Sequence, residues 1–227
     1  MCGRFTLNIA VDVLTGLFDM VADPSPPPPP RYNIAPSQPL LLVRAGRAAG
    51  SREWAFALWG FIPAWSKDAL PSSGMINARS ETAAQKPMFR AAMRRRRCLI
   101  PATGFYEWQK LGTRKQPHLI RMADGSPFAF AGLWDHWIGA DGSELETCAI
   151  LTTEPNELMK PIHNRMPAIL PKRDFEEWLD PAQDNGANAA ELLRPYPAGQ
   201  MDAYPVHPVV NNPRNDSPEC VAPAGLL

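Results

Sequence analysis

The stretch Cys98-Leu99-Ile100-Pro101-Ala102-Thr103-Gly104-Phe105-Tyr106-Glu107-Trp108 lies near the middle of the 227-residue chain. It is largely apolar and β-prone, and it predicts one β-strand over its whole length. Further strands are predicted downstream, at Pro117–Met122, Pro127–Leu133, Leu145–Thr153 and Tyr204–Val210. Two glycine-containing segments, Ala123-Asp124-Gly125 and Ala140-Asp141-Gly142, have the composition of hairpin turns between them.

Upstream of this stretch, apolar runs predict strands at Pro39–Val43 and Glu53–Trp59. Fewer segments predict helices: Val11–Met20, a helix from Glu81 with Ser80 as N-cap and an interruption or restart at Pro87, Thr152–Lys160, Pro171–Leu179 and Ala187–Leu193. Strands outnumber helices, and no regular alternation of strand and helix suggests a doubly wound sheet. We therefore predict an α+β fold with a curved, mostly antiparallel sheet or barrel-like core and peripheral helices.

Length and composition favour one domain over residues 1–227. The run of five prolines within residues 24–30 predicts a stiff surface loop, and the Pro/Ala-rich segment 217–227 predicts a peripheral tail. Lys plus Arg and Asp plus Glu each total 23, so the chain has no net positive charge that would indicate a polyanionic partner.

Neither a membrane span nor a signal peptide is apparent, so we expect a cytoplasmic or nucleoid-associated protein. The four cysteines are scattered without a Cys-x-x-Cys unit, and the four histidines have no ligand spacing, so we predict no metal site. Cys98 and Cys148 lie in apolar runs and are expected to be inert core residues.

Cys2 has a chemistry that no internal cysteine offers. Removal of Met1 would leave a thiol and a free α-amine on the same residue. The amine can add to an aldehyde as a Schiff base, and the thiol can then close on the same carbon as a five-membered thiazolidine. Cys2 is therefore a candidate nucleophile for a carbonyl substrate, and the plain alternative is a small buried hydrophobe.

Four polar clusters interrupt apolar surroundings: Cys2-Gly3-Arg4, Asn77-Ala78-Arg79, Glu107 between two aromatic residues, and His163-Asn164-Arg165. Taken singly, Glu107 fits a structural ion pair and His163 fits a hydrogen-bonded core histidine. Their combination is what suggests a reactive site.

Six separated blocks together resemble the SOS response-associated peptidase (SRAP) family, in the same order along the chain: Met1–Phe5, Arg31–Pro36, Trp59–Pro63, Ile76–Glu81, Gly104–Trp108 and His163–Pro167. The resemblance implies a cleft for single-stranded DNA and a covalent link from the processed N-terminal cysteine to the ring-opened sugar of an abasic site. It makes Cys2 the nucleophile and gives supporting roles to Asn77, Glu107 and His163. No cofactor is implied, and we expect a monomer.

These residue types suit the chemistry. A carboxyl group such as Glu107 can move a proton as the sugar ring opens, and an imidazole such as His163 can serve the loss of water from the amine adduct. Asn77 can hold the amine or the sugar without adding charge. Arg4, Arg79 and Arg165 lie within two residues of these groups and are predicted to bind phosphates, whereas Asn33 and Trp65 are predicted to contact flanking bases.

Two other classes stay open at this stage. An amidohydrolase with an N-terminal nucleophile also begins with Met-Cys-Gly, although no Arg-Gly-Pro-Asp-like substrate loop or early Asn-Gly oxyanion segment is present. A non-covalent module for single-stranded DNA would use the arginines and tryptophans alone. The Arg94–Arg97 run is predicted to be a solvated face that could extend such a track.

Overall fold

The computed structural model describes residues 2–48, 50–67, 75–182 and 187–225. The strands are β1 Phe5–Leu7, β2 Arg31–Ile34, β3 Pro39–Ala45, β4 Arg52–Trp59, β5 Asn77–Arg79, β6 Arg97–Ala102, β7 Gly104–Leu111, β8 Arg114–Met122, β9 Phe128–Ile138, β10 Glu144–Thr153, β11 Met166–Pro167, β12 Ile169–Leu170 and β13 Met201–Pro205. The α-helices are α1 Val11–Leu17, α2 Ser80–Ala83, α3 Pro87–Arg95, α4 Phe175–Leu179 and α5 Ala187–Glu191. Within these ranges, no helix is long and apolar enough to span a membrane.

A closed ring of strands forms the centre of the molecule. β10 pairs antiparallel with β9 and parallel with β4, and the ring continues from β4 through β3 and β6 back to β9. β5, β11 and β12 extend this sheet, and a second sheet has the order β13-β8-β7-β1-β2. The α+β fold with a barrel-like, mostly antiparallel core is therefore confirmed.

Aromatic side chains join the two sheets into one core. Phe5 of β1 makes edge-to-face contacts with Trp59 at 5.3 Å and with Phe130 at 5.6 Å between ring centroids. Phe105 of β7 also contacts Phe130, at 6.1 Å. Since burial of one such side chain contributes about 1.5–3 kcal/mol, these contacts hold the start of the chain firmly against the barrel.

The prediction of a single strand over Cys98–Trp108 is wrong. The chain leaves the barrel after Ala102 and enters the second sheet at Gly104. A Cβ at Gly104 would lie 3.0 Å from Leu119 Cδ1 and 3.1 Å from the Ile120 carbonyl, so a larger residue would force these neighbours to shift. β6 and the first half of β7 are both buried, so the mostly apolar sequence on either side of Gly104 hides the change of sheet.

One predicted hairpin is also absent. The turn Ala123-Asp124-Gly125 connects β8 of the second sheet to β9 of the barrel, so its flanking strands do not pair with each other. The predicted turn at Ala140-Asp141-Gly142 does join a paired hairpin, β9–β10, with Gly142 at φ 82°. Turn composition thus located both reversals but could not tell which strands pair.

Several helix and strand ends differ from prediction. Ser80 is the first residue of α2 rather than its N-cap, because the preceding Arg79 is extended and still belongs to β5. Pro87 begins a new helix, as expected. The predicted helix Thr152–Lys160 is absent, because Thr153 ends a strand and Asn156 then holds a turn by accepting the Met159 N–H at 2.9 Å.

Prolines shift the later boundaries. Lys172–Asp174 form a 3₁₀ turn before α4. The last strand is Met201–Pro205, and a 3₁₀ helix at Pro208–Asn211 replaces the predicted continuation to Val210. The helix predicted at Ala187–Leu193 is present as α5 but ends earlier, at Glu191.

The predicted solvated face at Arg94–Arg97 is only partly exposed to solvent. Arg97 is buried and donates to the carbonyls of Met93 and Trp178 at 2.8 and 2.6 Å. Arg96 pairs with the buried Asp135 at 3.0 Å. Arg94 and Arg95 alone are exposed.

The polyproline segment lies at the surface with residues 25–27 exposed, and residues 217–225 are also exposed or half-buried apart from Cys220. Cys220 is fully buried in a second apolar cluster with Tyr106, Leu119, Val206 and Val210. The Tyr106 hydroxyl donates to the Cys220 carbonyl at 3.2 Å. A composition rich in Pro and Ala conceals this single buried side chain.

Candidate active site

Strand pairing places Cys2 beside Glu107. β1 runs antiparallel to β7, with Phe5 opposite Phe105, and the Tyr106 N–H donates to the Arg4 carbonyl at 3.0 Å. The residues just before β1 therefore lie against the Glu107 part of β7. Cys2 is fully buried, and its Sγ lies 3.7 Å from the Arg4 carbonyl oxygen. Burial raises the pKa of this thiol strongly, and the negative charge of Glu107 raises it further, so the resting sulfur is a neutral thiol.

Asn77 reaches the same point from the barrel. It lies on β5, which pairs parallel with β10, with Asn77 opposite Ile150. Its Nδ2 donates to the Cys2 carbonyl at 2.9 Å. Its Oδ1 is buried and accepts no hydrogen bond from the described residues. One end of the amide thus fixes the Cys2 backbone, and the other end is an available acceptor.

Glu107 and His163 meet from opposite sides of this pocket. The Glu107 carboxylate is buried, and its Oε1 lies 4.0 Å from His163 Nδ1. Burial raises the pKa of Glu107, although a positive charge on His163 opposes that shift. A carboxyl group in this environment is suited to hold and deliver a proton.

The turn after β10 orients the His163 ring. The His163 backbone N–H donates to the Met159 carbonyl at 2.8 Å. His163 Nδ1 lies 3.0 Å from the Arg165 N–H and 3.2 Å from the Arg165 carbonyl, so the ring contacts the Arg165 backbone in either tautomer. These contacts fix the orientation of the ring beside Glu107.

Arg4 and Asn33 form a connected pair rather than two separate surface contacts. Arg4 Nη1 donates to Asn33 Oδ1 and to the Val210 carbonyl, both at 2.9 Å. Asn33 is fully buried, and its Nδ2 lies within 3.1 Å of the carbonyls of Val210, Asn212 and Asn215. The structure places Asn33 beneath Arg4, where it can position the guanidinium but does not present its own amide at the surface.

Arg165 is held by a carboxylate. Its two terminal nitrogens donate to Glu81 Oε1 at 2.6 Å and Oε2 at 2.9 Å, a bidentate fork. Nη2 also donates to the Thr152 carbonyl at 2.6 Å. Glu81 is therefore seated where a phosphate group would fit the same fork.

Arg79 and Trp65 flank an open groove beside Asn77. The groove has a volume of about 670 Å³, and its remaining lining residues are Met75, Lys86, Pro87, Met88 and Phe89. Trp65 is 64% exposed, which excludes the core-packing alternative for this side chain. The neighbouring Phe61, in contrast, is fully buried and belongs to the core.

Three contributors to this site escaped the sequence analysis. Glu81 clamps Arg165, and its place in the Asn-Ala-Arg-Ser-Glu block was the available signal. Trp108 lies under the Arg4 guanidinium, 6.0 Å from it, and donates its Nε1–H to Asn211 Oδ1 at 2.7 Å. No sequence pattern pointed to Asn211, because only the fold of the C-terminal segment brings it to the site.

No cluster of three or more His, Cys, Asp or Glu side chains with metal-binding geometry occurs among the residues that the structure describes.

The two-sheet fold and the Cys2 pocket with its asparagine, glutamate and histidine define one class of protein. The chain belongs to the SRAP (SOS response associated peptidase) family, whose model matches residues 1–213.

Similar proteins span almost the whole chain. Abasic site processing protein YoqW of Bacillus subtilis is 43% identical over 223 residues, covering 97% of this chain and 99% of the relative. Abasic site processing protein HMCES of Rattus norvegicus is 34% identical over 235 residues, covering 87% of this chain and 66% of the relative. A crystal structure of a Bacteroides thetaiotaomicron protein superposes with a TM-score of 0.84 at 28% identity, covering 98% of this chain and 100% of the other.

Proposed function

We propose that this protein detects abasic sites in single-stranded DNA and forms a covalent cross-link to them through Cys2 after loss of Met1. The convergence of Cys2, Asn77, Glu107 and His163 from four separate segments on one pocket carries the proposal. The names of the relatives, which are abasic site processing proteins, support the same substrate. The cross-link would shield the lesion from strand cleavage.

The chemistry balances with the sugar aldehyde, the α-amine and the thiol alone. Glu107 protonates the ring oxygen as the closed sugar opens to its aldehyde. The amine of Cys2 adds to the carbonyl carbon, and loss of one water, to which His163 supplies a proton, gives the Schiff base. The Cys2 sulfur then bonds to the same carbon while its proton passes to the nitrogen, which closes the thiazolidine.

The local environment fits these steps. The raised pKa of Glu107 keeps more of this carboxyl group protonated near neutral pH than an exposed glutamate would be. Burial raises the pKa of the Cys2 thiol and disfavours the more nucleophilic thiolate, which favours attack by the amine first. Asn77 Oδ1 is an acceptor for the hydrogens of the attacking amine.

The strand is held on both sides of the pocket. Arg4, positioned by Asn33, and Arg165 are guanidinium groups for the phosphates next to the lesion, and Arg79 adds a third beside the groove. Trp65 offers an exposed ring on which a flanking base can stack. We propose a nucleoid-associated monomer with this activity.

Mass spectrometry after mixing with abasic single-stranded DNA tests the proposal. A covalent adduct that needs Cys2 is the expected result. Cys2→Ser keeps the amine but should stop at a Schiff base, which borohydride reduction makes permanent. Glutamine hydrolysis without adduct would indicate the amidohydrolase, and reversible binding unaffected by Cys2→Ala would indicate a non-covalent module.

The same measurement addresses the peptidase activity in the family name. The protein is expressed with or without a methionine aminopeptidase inhibitor and purified. Its intact mass is then measured before DNA is added. Retention of Met1 under inhibition assigns the removal to the aminopeptidase, and its loss assigns the removal to the protein itself.

A further inference from the structure

Helix α3 carries a row of basic side chains that the proposed site does not use. Arg90 and Arg94 stand four residues apart on one side of the helix, and Lys86, the extended N-cap residue, stands four residues before Arg90. All three are exposed, whereas Phe89, Ala92 and Met93 face the core. The row spans about 12 Å from end to end at the rise of an α-helix.

Among the residues that the structure describes, none offers Lys86, Arg90 or Arg94 an ion pair or a side-chain hydrogen bond. The neighbouring cations differ: Arg96 is neutralised by Asp135 and Arg97 is buried against backbone carbonyls. A row of like charges with no carboxylate partner in the described parts of the chain is an attractive surface for a polyanion.

The row also starts at the candidate site. Lys86 lines the groove together with Trp65, Asn77 and Arg79, and the helix then leads away from it. Successive cations stand one helical turn apart, about 6 Å, which suits a backbone that passes along the helix in an extended form. Continuity with the groove makes single-stranded DNA the occupant that the charges fit.

We propose that Lys86, Arg90 and Arg94 form a phosphate track, which binds the part of a DNA single strand that extends beyond the lesion and its immediate neighbours. The inference rests on the proposed function and deepens it. The track contributes affinity and reach on long strands, and it takes no part in the covalent step.

The test compares Arg90→Ala/Arg94→Ala with the unaltered protein by fluorescence anisotropy over a range of salt concentrations. The ligands are an abasic oligonucleotide of about 6 nucleotides and two of about 20, extended on either the 5′ or the 3′ side. Each lost contact to a single strand lowers the slope of log affinity against log salt by about 0.7, so we expect a fall of about 1.4 on at least one long ligand. On the short ligand the slope should stay unchanged.

The control is Arg47→Ala/Lys115→Ala, which removes two other exposed charges away from the helix. An equal fall for the control pair, or a full slope for the α3 pair on both long ligands, overturns the track. Binding in this assay needs no adduct, and it is repeated with Cys2→Ala. A normal adduct with an unchanged α3 slope therefore defeats the track alone, whereas absence of any adduct with a lowered slope defeats the proposed covalent function alone.

Discussion

At the scale of single residues, burial decides what each polar group can do. Cys2 and Glu107 are ordinary reactive side chains in the sequence, yet both have raised pKa values because they lie inside the fold. Their protonated forms are favoured, which suits a reaction started by an amine and an acid rather than by a thiolate.

Glu107→Gln separates activity from stability. Removing the proton donor should slow cross-linking by about 10²-fold or more. The folded state holds the Glu107 proton more tightly than the unfolded state, so this residue's contribution to stability is complete below its unfolded pKa of about 4.3 and is lost as the pH rises through its folded pKa. Relative to the unaltered protein, the melting temperature of Glu107→Gln should therefore be higher near pH 8 than near pH 4.

Thermal melts over this pH range check the predicted stability change, and single-turnover cross-linking checks the predicted loss of rate. A variant that loses relative stability as the pH rises would show that Glu107 is held as a favourable carboxylate instead.

Glu81→Gln tests whether the carboxylate positions Arg165. The substitution removes a negative charge that opposes phosphate, so reversible affinity for single-stranded DNA should not weaken. Cross-linking at saturating DNA should slow about tenfold, since Arg165 loses its fork and its backbone N–H orients His163. Glu157→Gln, which breaks the exposed pair with Lys160, is the matched control and should leave both measurements unchanged. Weaker binding with a normal rate at saturation would contradict the positioning role.

At the scale of elements, strand pairing brings the site together. β1 beside β7 sets Cys2 against Glu107, and β5 beside β10 sets Asn77 against the Cys2 carbonyl. The turn that replaces the predicted helix after β10 then supplies His163. The packing between β6 and β9 fixes the barrel on which these pairings depend.

Gly132→Ala probes that packing. A Cβ at Gly132 on β9 would lie 2.8 Å from both Cys98 Sγ and Ile100 Cδ1 of β6. Overpacking of a closed core costs about 1–3 kcal/mol, so a lower free energy of unfolding is expected in denaturant titrations. Gly16→Ala in α1 meets nothing within 4 Å and should stabilise by about 0.5–1 kcal/mol. Equal stability of Gly132→Ala and the unaltered protein would mean that β6 and β9 can shift apart without cost.

At the scale of the whole molecule, the C-terminal segment completes the site from the far end of the chain. Carbonyls of Val210, Asn212 and Asn215 hold Asn33, which in turn holds Arg4. Asp216 accepts the backbone N–H of Asn33 at 2.9 Å. The tail beyond it buries Cys220 against Tyr106.

Ending the chain at Asp216 should therefore destabilise the protein. Loss of the buried Cys220 and its neighbours should lower the free energy of unfolding by about 2 kcal/mol or more, measured by denaturant titration. Cys220→Ala retains the backbone and should show a smaller loss. A truncated chain as stable as the full one would show that residues 217–227 contribute nothing to stability.

The predictable part of the fold follows from local patterns. Most barrel strands and α1 were found because apolar periodicity and turn residues act over a few neighbours. The break at Gly104, the failure of β8 and β9 to pair with each other across Gly125, and the absence of a helix after Thr152 were not predicted. Each depends on which sheet the next segment joins. Cys2, Asn77, Glu107 and His163 were selected by their chemistry and by six blocks in family order.

The sequence alone determined the family, the α+β class and the set of reactive residue types, since these depend on side-chain chemistry and on the order of short motifs. Only the tertiary structure decided that Asn33 lies beneath Arg4, that Glu81 occupies the fork of Arg165 and that the four-arginine run splits into exposed, paired and buried members. The reason is physical: partners and burial are set by contacts between residues far apart in the chain, and no local pattern encodes which distant carbonyl or carboxylate a guanidinium or amide will meet.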